Sequence, residues 1–267
     1  MGFGNFAAVD FKIDHGGLGA IQMENSKIGW THHTWNPWWG CNKVSEACKH
    51  CYIGPIMRRS GRNRKPFDGP MRTGKATWRK AIRWNRIAEE EGARFRVFTC
   101  SMSDFFHEGA DAWRGDAWEM IRSCNNLDWL ILTKRPELFS GRLPMDWGTG
   151  YPNVWLGVTV ESQDHLGRVD LLAEVPAAIR FVSAEPLLGP IEFGAERLRD
   201  LDWIITGCED AAQAKRRPMD PDWVRSIRDQ CDAAGVRLFH IQYYVGNQLA
   251  YDGLVDGVKR LDIPTTC

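Results

Sequence analysis

The sequence predicts an α/β fold in which parallel strands form a partial (β/α)6 TIM-type barrel. Short apolar runs rich in β-branched and aromatic residues recur along the chain. Continuous runs of this kind are typical of strands that are buried on both faces of a parallel sheet. Amphipathic helical patterns lie between several of these runs, as repeated strand–helix units require.

Six apolar runs are candidate strands, and a seventh lies near Trp35. The six cover residues 96–101, 128–134, 153–160, 180–185, 201–207 and 236–242. Helical patterns with one apolar stripe precede two of them. The first begins at Trp113 and ends near Cys124. The second begins at Pro221, a residue favoured in the first helical turn, and ends at Gly235, a residue favoured just after a helix.

The composition is that of an ordinary globular protein. The chain has 267 residues, of which 43% are hydrophobic and 25% are charged, with 34 basic and 34 acidic side chains. These values exclude a disordered tail, a collagen and a highly charged nucleic-acid wrapper. No run of 18 apolar residues predicts a membrane span, and no secretory signal precedes the fold, so we expect a cytoplasmic protein. Residues 143–152 and 210–218 are predicted surface loops.

The neutral total hides a strongly basic segment. Between Lys49 and Arg86, twelve basic residues are opposed by Asp68 alone, which gives this segment a net charge of +11. A basic patch attracts phosphate groups, although a solvated helical face would have the same composition. Trp78 and Trp84 lie within it and suit either base stacking or core packing. The candidate nucleic-acid patch consists of Arg58, Arg59, Arg62, Arg64 and Lys65.

Three of the eight cysteines are clustered. Cys41, Cys48 and Cys51 lie within eleven residues, whereas the other five are scattered and are expected to be small buried hydrophobic residues. In a reducing compartment, clustered thiols indicate metal binding or redox chemistry. Three thiolates suit an iron–sulfur cluster with one open iron. Zinc, with a fourth ligand, and no metal at all remain alternatives.

Polar residues follow nearly every predicted strand. Ligands of parallel α/β folds bind beyond the carboxyl ends of the strands, and the cysteine segment follows the first strand, so we expect all these groups at one rim. Each one taken alone also fits a helix cap or a solvated loop position. The rim residues are Ser101, Ser103, Asp104, Thr133, Lys134, Arg135, Thr159, Glu161, Ser183, Glu185, Glu209, Asp210, His240 and Gln242.

Several segments resemble a known family. They are MENSKIGW (23–30), TWNPWWGC (34–41), CKHCY (48–52), LDWLILTKRP (127–136), NVWLG (153–157), SAEPLLGP (183–190) and PMDPDW (218–223). They are similar to the radical S-adenosylmethionine (SAM) superfamily, and within it to the phage Gp37/Gp68-like family, a domain of unknown function (DUF5131). The resemblance covers about residues 23 to 242. Residues 1–22 are therefore interpreted as an N-terminal extension and residues 23–267 as a single domain of the radical SAM kind.

The resemblance implies a [4Fe–4S] cluster on Cys41, Cys48 and Cys51, with SAM on the open iron. Such enzymes cleave SAM to a 5′-deoxyadenosyl radical and need an electron donor such as flavodoxin or ferredoxin. Tyr52 would flank the adenine. Asp104 and Lys134 would pair with the ammonium and the carboxylate of the methionine part. The implied cofactor contacts are Tyr52, Ser101, Ser103, Asp104, Thr133, Lys134, Thr159, Glu161 and Ser183.

The chain departs from the family pattern in the cysteine spacing and at two strand ends. The first cysteine gap is six residues rather than the commoner three. Residues 207–210 read GCED and residues 239–244 read FHIQYY, and both differ from the relatives' pattern. Glu209, His240 and Gln242 are therefore candidates for substrate contact. Arg135 and Glu185, which also follow strands, are further candidates for substrate contact or catalysis.

The resemblance and the basic segment together predict a radical SAM enzyme that modifies or rearranges a nucleic-acid base or nucleotide. Hypermodification of DNA thymine of the phage type is one form of this chemistry. A domain layout similar to that of spore photoproduct lyase adds an analogy. The alternatives are a radical SAM enzyme for a small metabolite or peptide, and a non-catalytic iron–sulfur or zinc module. The setting would be the cytoplasm of a bacterium or of a phage-infected host.

Overall fold

The core of the protein is a sheet of seven parallel strands. A computed structural model describes residues 26, 28–60 and 65–265, so the predicted N-terminal extension, Arg62 and Arg64 lie outside the described residues. We number the strands of this sheet β1 His33–Trp35, β2 Phe95–Thr99, β3 Leu127–Thr133, β4 Val154–Thr159, β5 Ile179–Ala184, β6 Trp203–Thr206 and β7 Arg237–His240.

The strands follow one another in chain order across the sheet, and every neighbouring pair is parallel. Strands β1 and β7 form the two edges and do not pair with each other, so the barrel is open. The predicted partial barrel is confirmed, and each strand overlaps the apolar run that predicted it. Parallel pairing also places all seven carboxyl ends at one rim.

Helices and short turns connect the strands. Their bounds are α1 Ile53–Arg59, α2 Lys75–Glu91, α3 Asp111–Ser123, α4 Gly167–Ala173, α5 Ala195–Leu198 and α6 Pro221–Ala234. Single 3-10 turns cover Glu46–Cys48, Glu108–Ala110, Pro136–Leu138 and Gln163–His165. Short antiparallel ladders pair Trp38–Trp39 with Met71–Arg72, Tyr243–Val245 with Gln248–Ala250, and Leu254–Val255 with Val258–Lys259.

The ends of α6 are those that its sequence predicts. The side chain of Asp220 accepts a hydrogen bond of 2.9 Å from the backbone N–H of Asp222 and so caps the first turn. Pro221 occupies the first turn, where its missing N–H costs no helical hydrogen bond. Gly235 ends the helix in the left-handed region at φ 72°, a conformation that glycine adopts without a steric penalty.

The sheet buries apolar side chains on both faces. On the outer face, Trp129 of β3 and Trp84 of α2 belong to a large cluster that also contains side chains from α3, α4 and α6. On the inner face, Trp155, Phe181 and Trp203 pack with their neighbours to fill the base of the barrel. A fully buried side chain of this size contributes about 1.5–3 kcal/mol or more, so both layers stabilise the fold.

The two tryptophans of the basic segment belong to the core. Trp84 stacks on His33 with a centroid separation of 4.3 Å, and Trp78 meets Trp35 edge-on. Both rings are buried, so core packing rather than base stacking explains them. Within the described part of the chain, no helix is long and apolar enough to cross a membrane.

Candidate functional site

The clustered cysteines lie on a loop at the rim of the barrel. We call residues 41–51 the cysteine loop. Its three thiols are free; that of Cys48 is buried, and those of Cys41 and Cys51 are half-buried. Cys41 and Cys51 pack against an apolar cluster of Ile53, Met57 and Met102. The loop is therefore anchored between α1 and the end of β2.

The thiols lie in a desolvated setting. Burial and the negative charge of Asp104 raise the pKa of Cys41 to about 11, against the opposing effect of Arg135. Burial is also the main cause of the raised pKa of Cys51, and the charge of Cys48 contributes to both shifts. Metal binding to such thiols would have to release their protons.

The ends of β1 and β2 hold the first side of the loop. Ser103 donates a hydrogen bond to the carbonyl of Gly40, just before Cys41. Tyr52, a residue that is 44% exposed, donates from its hydroxyl to the carbonyl of Ser101 at 2.5 Å. The amide of Asn36 also exchanges hydrogen bonds with the hydroxyl of Ser101, so β1 and β2 are joined there.

Asp104 is the centre of a buried network. Its carboxylate accepts hydrogen bonds from the hydroxyl of Thr133 at 2.8 Å, from the backbone N–H of Lys134 at 3.0 Å and from that of Phe106 at 2.9 Å. The guanidinium of Arg135 is the fourth donor, at 3.3 Å. Both oxygens of Asp104 are thus already occupied by protein donors.

Arg135 extends this network to the loop. Its guanidinium donates to the carbonyl of Asn42 at 3.0 Å and approaches the sulfur of Cys41 at 3.6 Å. His107 also contacts the side chain of Asn42. Because Arg135 is almost fully buried, its positive charge acts on the cysteine loop with little screening by water.

Glu161, after β4, holds the middle of the loop. Its carboxylate is 1% exposed and accepts a hydrogen bond from the hydroxyl of Ser45. Arg168 donates to the other oxygen at 2.8 Å. Burial raises the pKa of this carboxyl, but the charges of Lys134 and Arg168 outweigh it and leave the pKa below its usual value. Glu161 is therefore held as an anion.

Glu209, after β6, holds the far side of the loop. One of its oxygens lies 3.2 Å from Nδ1 of His50 and also accepts from the backbone N–H of Arg217 at 2.9 Å. The guanidinium of Arg217 contacts both carboxylate oxygens and donates to the carbonyl of Glu46 at 3.0 Å. Strands on both sides of the barrel thus hold the same loop over the rim.

Three other predicted rim residues form no hydrogen bond with the cysteine loop in the described part of the chain. Lys134 is half-buried, and its ammonium forms no hydrogen bond or ion pair with the described residues, although its charge lowers the pKa values of Glu161 and Glu185. Thr159 is 1% exposed, and its hydroxyl has no hydrogen-bond partner in the described part of the chain. Ser183 lies beside Thr159 in register on β5.

Glu185 lies at the same rim, where among the described residues it has one hydrogen-bond partner. The side-chain amide of Gln242 donates to Glu185 at 2.8 Å and to the carbonyl of Cys208 at 3.0 Å. Burial raises the pKa of Glu185 to about 7, although this hydrogen bond and the charge of Lys134 act against it. Glu185 and Lys134 thus bring one acidic and one basic group to this rim, with no ion pair between them, and the charge of Lys134 acts on Glu185 from a distance.

His240 does not join the loop. Its Nδ1 lies 2.9 Å from the hydroxyl of Thr206, and its ring stacks on Tyr243. The imidazole lines a separate cavity beside α6. Of the candidate nucleic-acid patch, Arg58, Arg59 and Lys65 are exposed, next to the cysteine loop along the chain.

The contacts also include residues that the sequence did not single out. Ser45 is the loop residue that contacts Glu161, and Arg217 donates to the loop carbonyl of Glu46. Arg168 acts on the loop indirectly, through Glu161. Four of the scattered cysteines are buried, as predicted, and Cys267 lies outside the described residues. Arg216 and Arg217 are consecutive arginines in the loop after β6, and this pair is the sequence signal that could have identified Arg217.

The donor chemistry of the loop fits a cluster bound by three thiolates. Three free thiols lie on one segment, and the unpartnered hydroxyl of Thr159 and ammonium of Lys134 lie at the rim that this loop covers. Within the described residues, no three His, Cys, Asp or Glu side chains already surround one point as metal ligands. Ligation would therefore need rearrangement of the side chains.

The chain belongs to the family described as protein of unknown function (DUF5131), because the model of that family matches residues 25–253. A comparison with curated proteins finds no significant match. Among solved structures, the chain is similar to a double mutant of spore photoproduct lyase with bound AdoMet and dinucleoside spore photoproduct. The identity is 13%, the TM-score is 0.43, and 82% of this chain and 68% of that chain are covered.

Two further structures of that protein show a similar match. The complex of spore photoproduct lyase with dinucleoside spore photoproduct has a TM-score of 0.42 at 13% identity and covers 80% of this chain and 66% of that one. A single mutant has a TM-score of 0.44 at 13% identity, with coverages of 88% and 71%. The fold itself rests on the strand order and register given above.

Proposed function

We propose that this protein is a radical SAM enzyme, related to the phage Gp37/Gp68-like proteins, that modifies or rearranges a nucleic-acid base or nucleotide. The observation that carries the proposal is the position of the cysteine loop. A segment with three free thiols is held across the carboxyl ends of a parallel partial barrel by contacts from residues that follow β2, β3, β4 and β6. Ligand sites of such folds lie at this rim.

Cys41, Cys48 and Cys51 would hold a [4Fe–4S] cluster. When bound, the cluster and SAM supply one-electron cleavage of a sulfonium to a carbon radical, which is chemistry that protein side chains lack. Arg135 would donate its N–H toward the sulfur of Cys41, and the contacts of Glu161 and Glu209 would fix the loop. The protein thus contributes position and electrostatics.

The unused rim groups are the residues that would bind SAM. The ammonium of Lys134 would pair with the carboxylate of the methionine part, and the unpartnered hydroxyl of Thr159 would donate to the cofactor. The half-exposed ring of Tyr52 offers a flat surface to the adenine. Asp104 would accept the ammonium only by exchanging one of its four present donors, so we assign it first to positioning Arg135.

The proposal of a nucleic-acid substrate rests on a group of exposed basic side chains next to the rim. Arg58 and Arg59 extend from α1, which directly follows the cysteine loop, and Lys65 is exposed close by in sequence. A basic surface next to the rim would bring a phosphate backbone to the reacting centre. Glu185 and Gln242, which follow β5 and β7 at the same rim, are the proposed contacts for the base.

Anaerobic reconstitution tests the cluster. We expect about four iron atoms per chain and a broad visible absorbance in the wild type, loss of both in Cys48→Ala, and retention of both in Cys124→Ala, whose thiol is buried away from the loop. One tight zinc with no iron would contradict the cluster.

Reductive cleavage of SAM to 5′-deoxyadenosine tests whether the protein is a radical SAM enzyme. Absence of SAM cleavage in protein that contains the complete cluster would favour a non-catalytic binding module.

Salt-dependent DNA binding tests the substrate class. Replacing Arg58, Arg59, Arg62 and Arg64 by Gln should weaken binding and flatten its salt dependence, because each phosphate contact releases counterions. The matched control removes four positive charges elsewhere, at the exposed residues Arg199, Lys215, Arg237 and Lys259. No binding at low salt, or equal loss in both variants, would favour a small metabolite or peptide as the substrate.

A further inference from the structure

A cavity lies beside α6, and none of its lining residues belongs to the cysteine loop. It has a volume of about 620 Å³ and is bounded by the start of α6, the end of β7 and the two C-terminal ladders. His240, Tyr243, Tyr244 and Arg216 supply its ring and charged groups, and Met219 and Val224 supply apolar surface. This size lies within the usual range of small-molecule sites.

One side of the cavity is a stack of two flat, uncharged rings. His240 and Tyr243 have a centroid separation of 5.6 Å and are inclined by 21°. Burial lowers the pKa of His240 to about 4, so the imidazole is neutral near pH 7. The hydroxyl of Thr206 lies 2.9 Å from its Nδ1 and fixes the ring. Two rings held in this way suit an aromatic ligand better than a cation.

The cavity has one uncompensated positive charge. The guanidinium of Arg216 lies 3.7 Å from the ring centroid of Tyr244 and donates to the side chain of Asn247 at 2.9 Å, and both partners are neutral. Within the described residues, no carboxylate lies at ion-pair distance from it. By contrast, the carboxylate of Glu209 neutralises Arg217.

The other charged side chains at the cavity wall form ion pairs. Arg225 is paired with Asp256 at 2.8 Å and with Asp222 at 2.6 Å. Asp256 also accepts from Arg228 at 2.6 Å, so this carboxylate is fully engaged. Arg216 is consequently the group that would meet an anion, and its stacking on Tyr244 holds it in place beforehand.

We propose that this cavity binds a planar aromatic ring that carries one anionic group, with the size of a nucleoside monophosphate. The ring would lie against the apolar wall and the His240–Tyr243 stack, and the anion would accept hydrogen bonds from Arg216. The proposal does not depend on the cluster, because none of the groups that carry it belongs to the cysteine loop. It is tested on protein that contains no metal.

The experiment is a calorimetric titration of the metal-free protein with three probes. Thymidine 5′-monophosphate has the ring and the anion, thymidine has the ring alone, and inorganic phosphate has the anion alone. We expect saturable binding of the nucleotide and at least tenfold weaker binding of the other two. Arg216→Gln should weaken nucleotide binding at least tenfold and leave thymidine unchanged. Arg199→Gln, an exposed arginine near α5, is the matched control.

A proton NMR titration places the ligand. The imidazole signal of His240, identified by its loss in His240→Gln, should shift on addition of the nucleotide. Absence of saturable binding, equal affinity for inorganic phosphate, equal affinity in Arg216→Gln, or an unmoved His240 signal would each overturn the proposal. Far-UV circular dichroism of both variants checks that the fold is retained.

Discussion

The imidazole of His50 meets the carboxylate of Glu209 with 3.2 Å between Nδ1 and Oε2. His50 stands between Cys48 and Cys51, whereas Glu209 follows β6, so the contact joins the cysteine loop to the far half of the barrel. Arg217 strengthens it by binding both Glu209 and the carbonyl of Glu46. One buried carboxylate thus gathers the donors that fix this side of the loop.

Neutralising that carboxylate should loosen the loop. In Glu209→Gln the shape is kept but the charge is lost, and hydrogen bonds to charged groups contribute about 1.5–3 kcal/mol each. We expect the free energy of local opening of residues 42–50 to fall by roughly 1–3 kcal/mol, which means about 5- to 150-fold faster amide hydrogen exchange there. Exchange mass spectrometry measures this directly.

The control for this change is Glu119→Gln on α3. Glu119 is 69% exposed and, among the described residues, pairs only with Arg122, so its loss should leave exchange in the cysteine loop unchanged. Equal protection of residues 42–50 in Glu209→Gln and the wild type would show that the loop is held by its apolar anchors instead.

Acid should release the loop through Glu161. The folded-state pKa of this carboxyl is lower than its ordinary value of 4.5, so the anion stabilises the fold. This contribution is complete above pH 4.5 and is lost as the pH falls through the folded-state pKa. We expect Glu161→Gln to be less stable than the wild type at pH 7 and to lose less stability below pH 4.5. Urea unfolding between pH 3 and pH 7 measures both.

Glu137→Gln provides the comparison for Glu161. Glu137 is exposed in the turn after β3. Its removal should therefore leave the pH dependence of the wild type intact. Parallel stability curves for Glu161→Gln and the wild type would mean that the Ser45 and Arg168 contacts contribute nothing to folding.

The fold was predictable because its signal is local. The inner strands of the sheet are buried on both faces, so they appear as nearly continuous apolar runs such as Leu127–Thr133. The ends of α6 were predictable for the same reason, since Pro221 and Gly235 act within one turn of where they stand. Parallel pairing then required the polar strand ends to share a rim.

The roles of the rim residues could not be predicted from those positions. Strand-end position marks Glu161 and Glu209 as rim residues, but it does not show that their carboxylates are already bound by Ser45 and His50. Partners 116 and 159 residues apart in sequence leave no local pattern. Likewise, His240 ends a strand but turns toward α6, because its side chain lies on the opposite face from its neighbour Phe239.

Glu185 should destabilise the folded protein at neutral pH. Burial raises its pKa from 4.5 to about 7, so between these values the unfolded chain loses a proton that the folded chain keeps. Stability therefore falls as the pH rises from 4.5 to 7. We expect Glu185→Gln to stabilise the fold by roughly 1–3 kcal/mol at pH 8, and to change little at pH 4.

The Gln substitution is a clean test at this position. The amide oxygen of a Gln can still accept the hydrogen bond that Gln242 donates at 2.8 Å, so the change removes only the ionisable proton. Unfolding in urea at pH 4 and pH 8 gives the two differences. A variant that is destabilised equally at both values would show that the carboxylate of Glu185 is satisfied in the fold, by Lys134 or by water.

Close packing inside the barrel leaves no room for a side chain at Gly157. This glycine lies in β4 opposite Phe181 of β5, and a Cβ added to it would overlap the Phe181 ring. Because Phe181 is fully buried among Trp30, Trp155 and Trp203, the ring has little room to move. Overpacking of this kind costs about 1–3 kcal/mol. We expect Gly157→Ala to lower the free energy of unfolding by that amount.

Gly115→Ala is the matched substitution in a place with room. Gly115 lies on the exposed face of α3, where an added Cβ meets no atom within 4 Å. Alanine favours the helix over glycine by about 0.5–1 kcal/mol, so this variant should be slightly more stable than the wild type. Chemical unfolding of the two variants therefore gives shifts of opposite sign if the inner face of the barrel is packed around Phe181. A Gly157→Ala variant as stable as the wild type would instead show a loosely filled inner face.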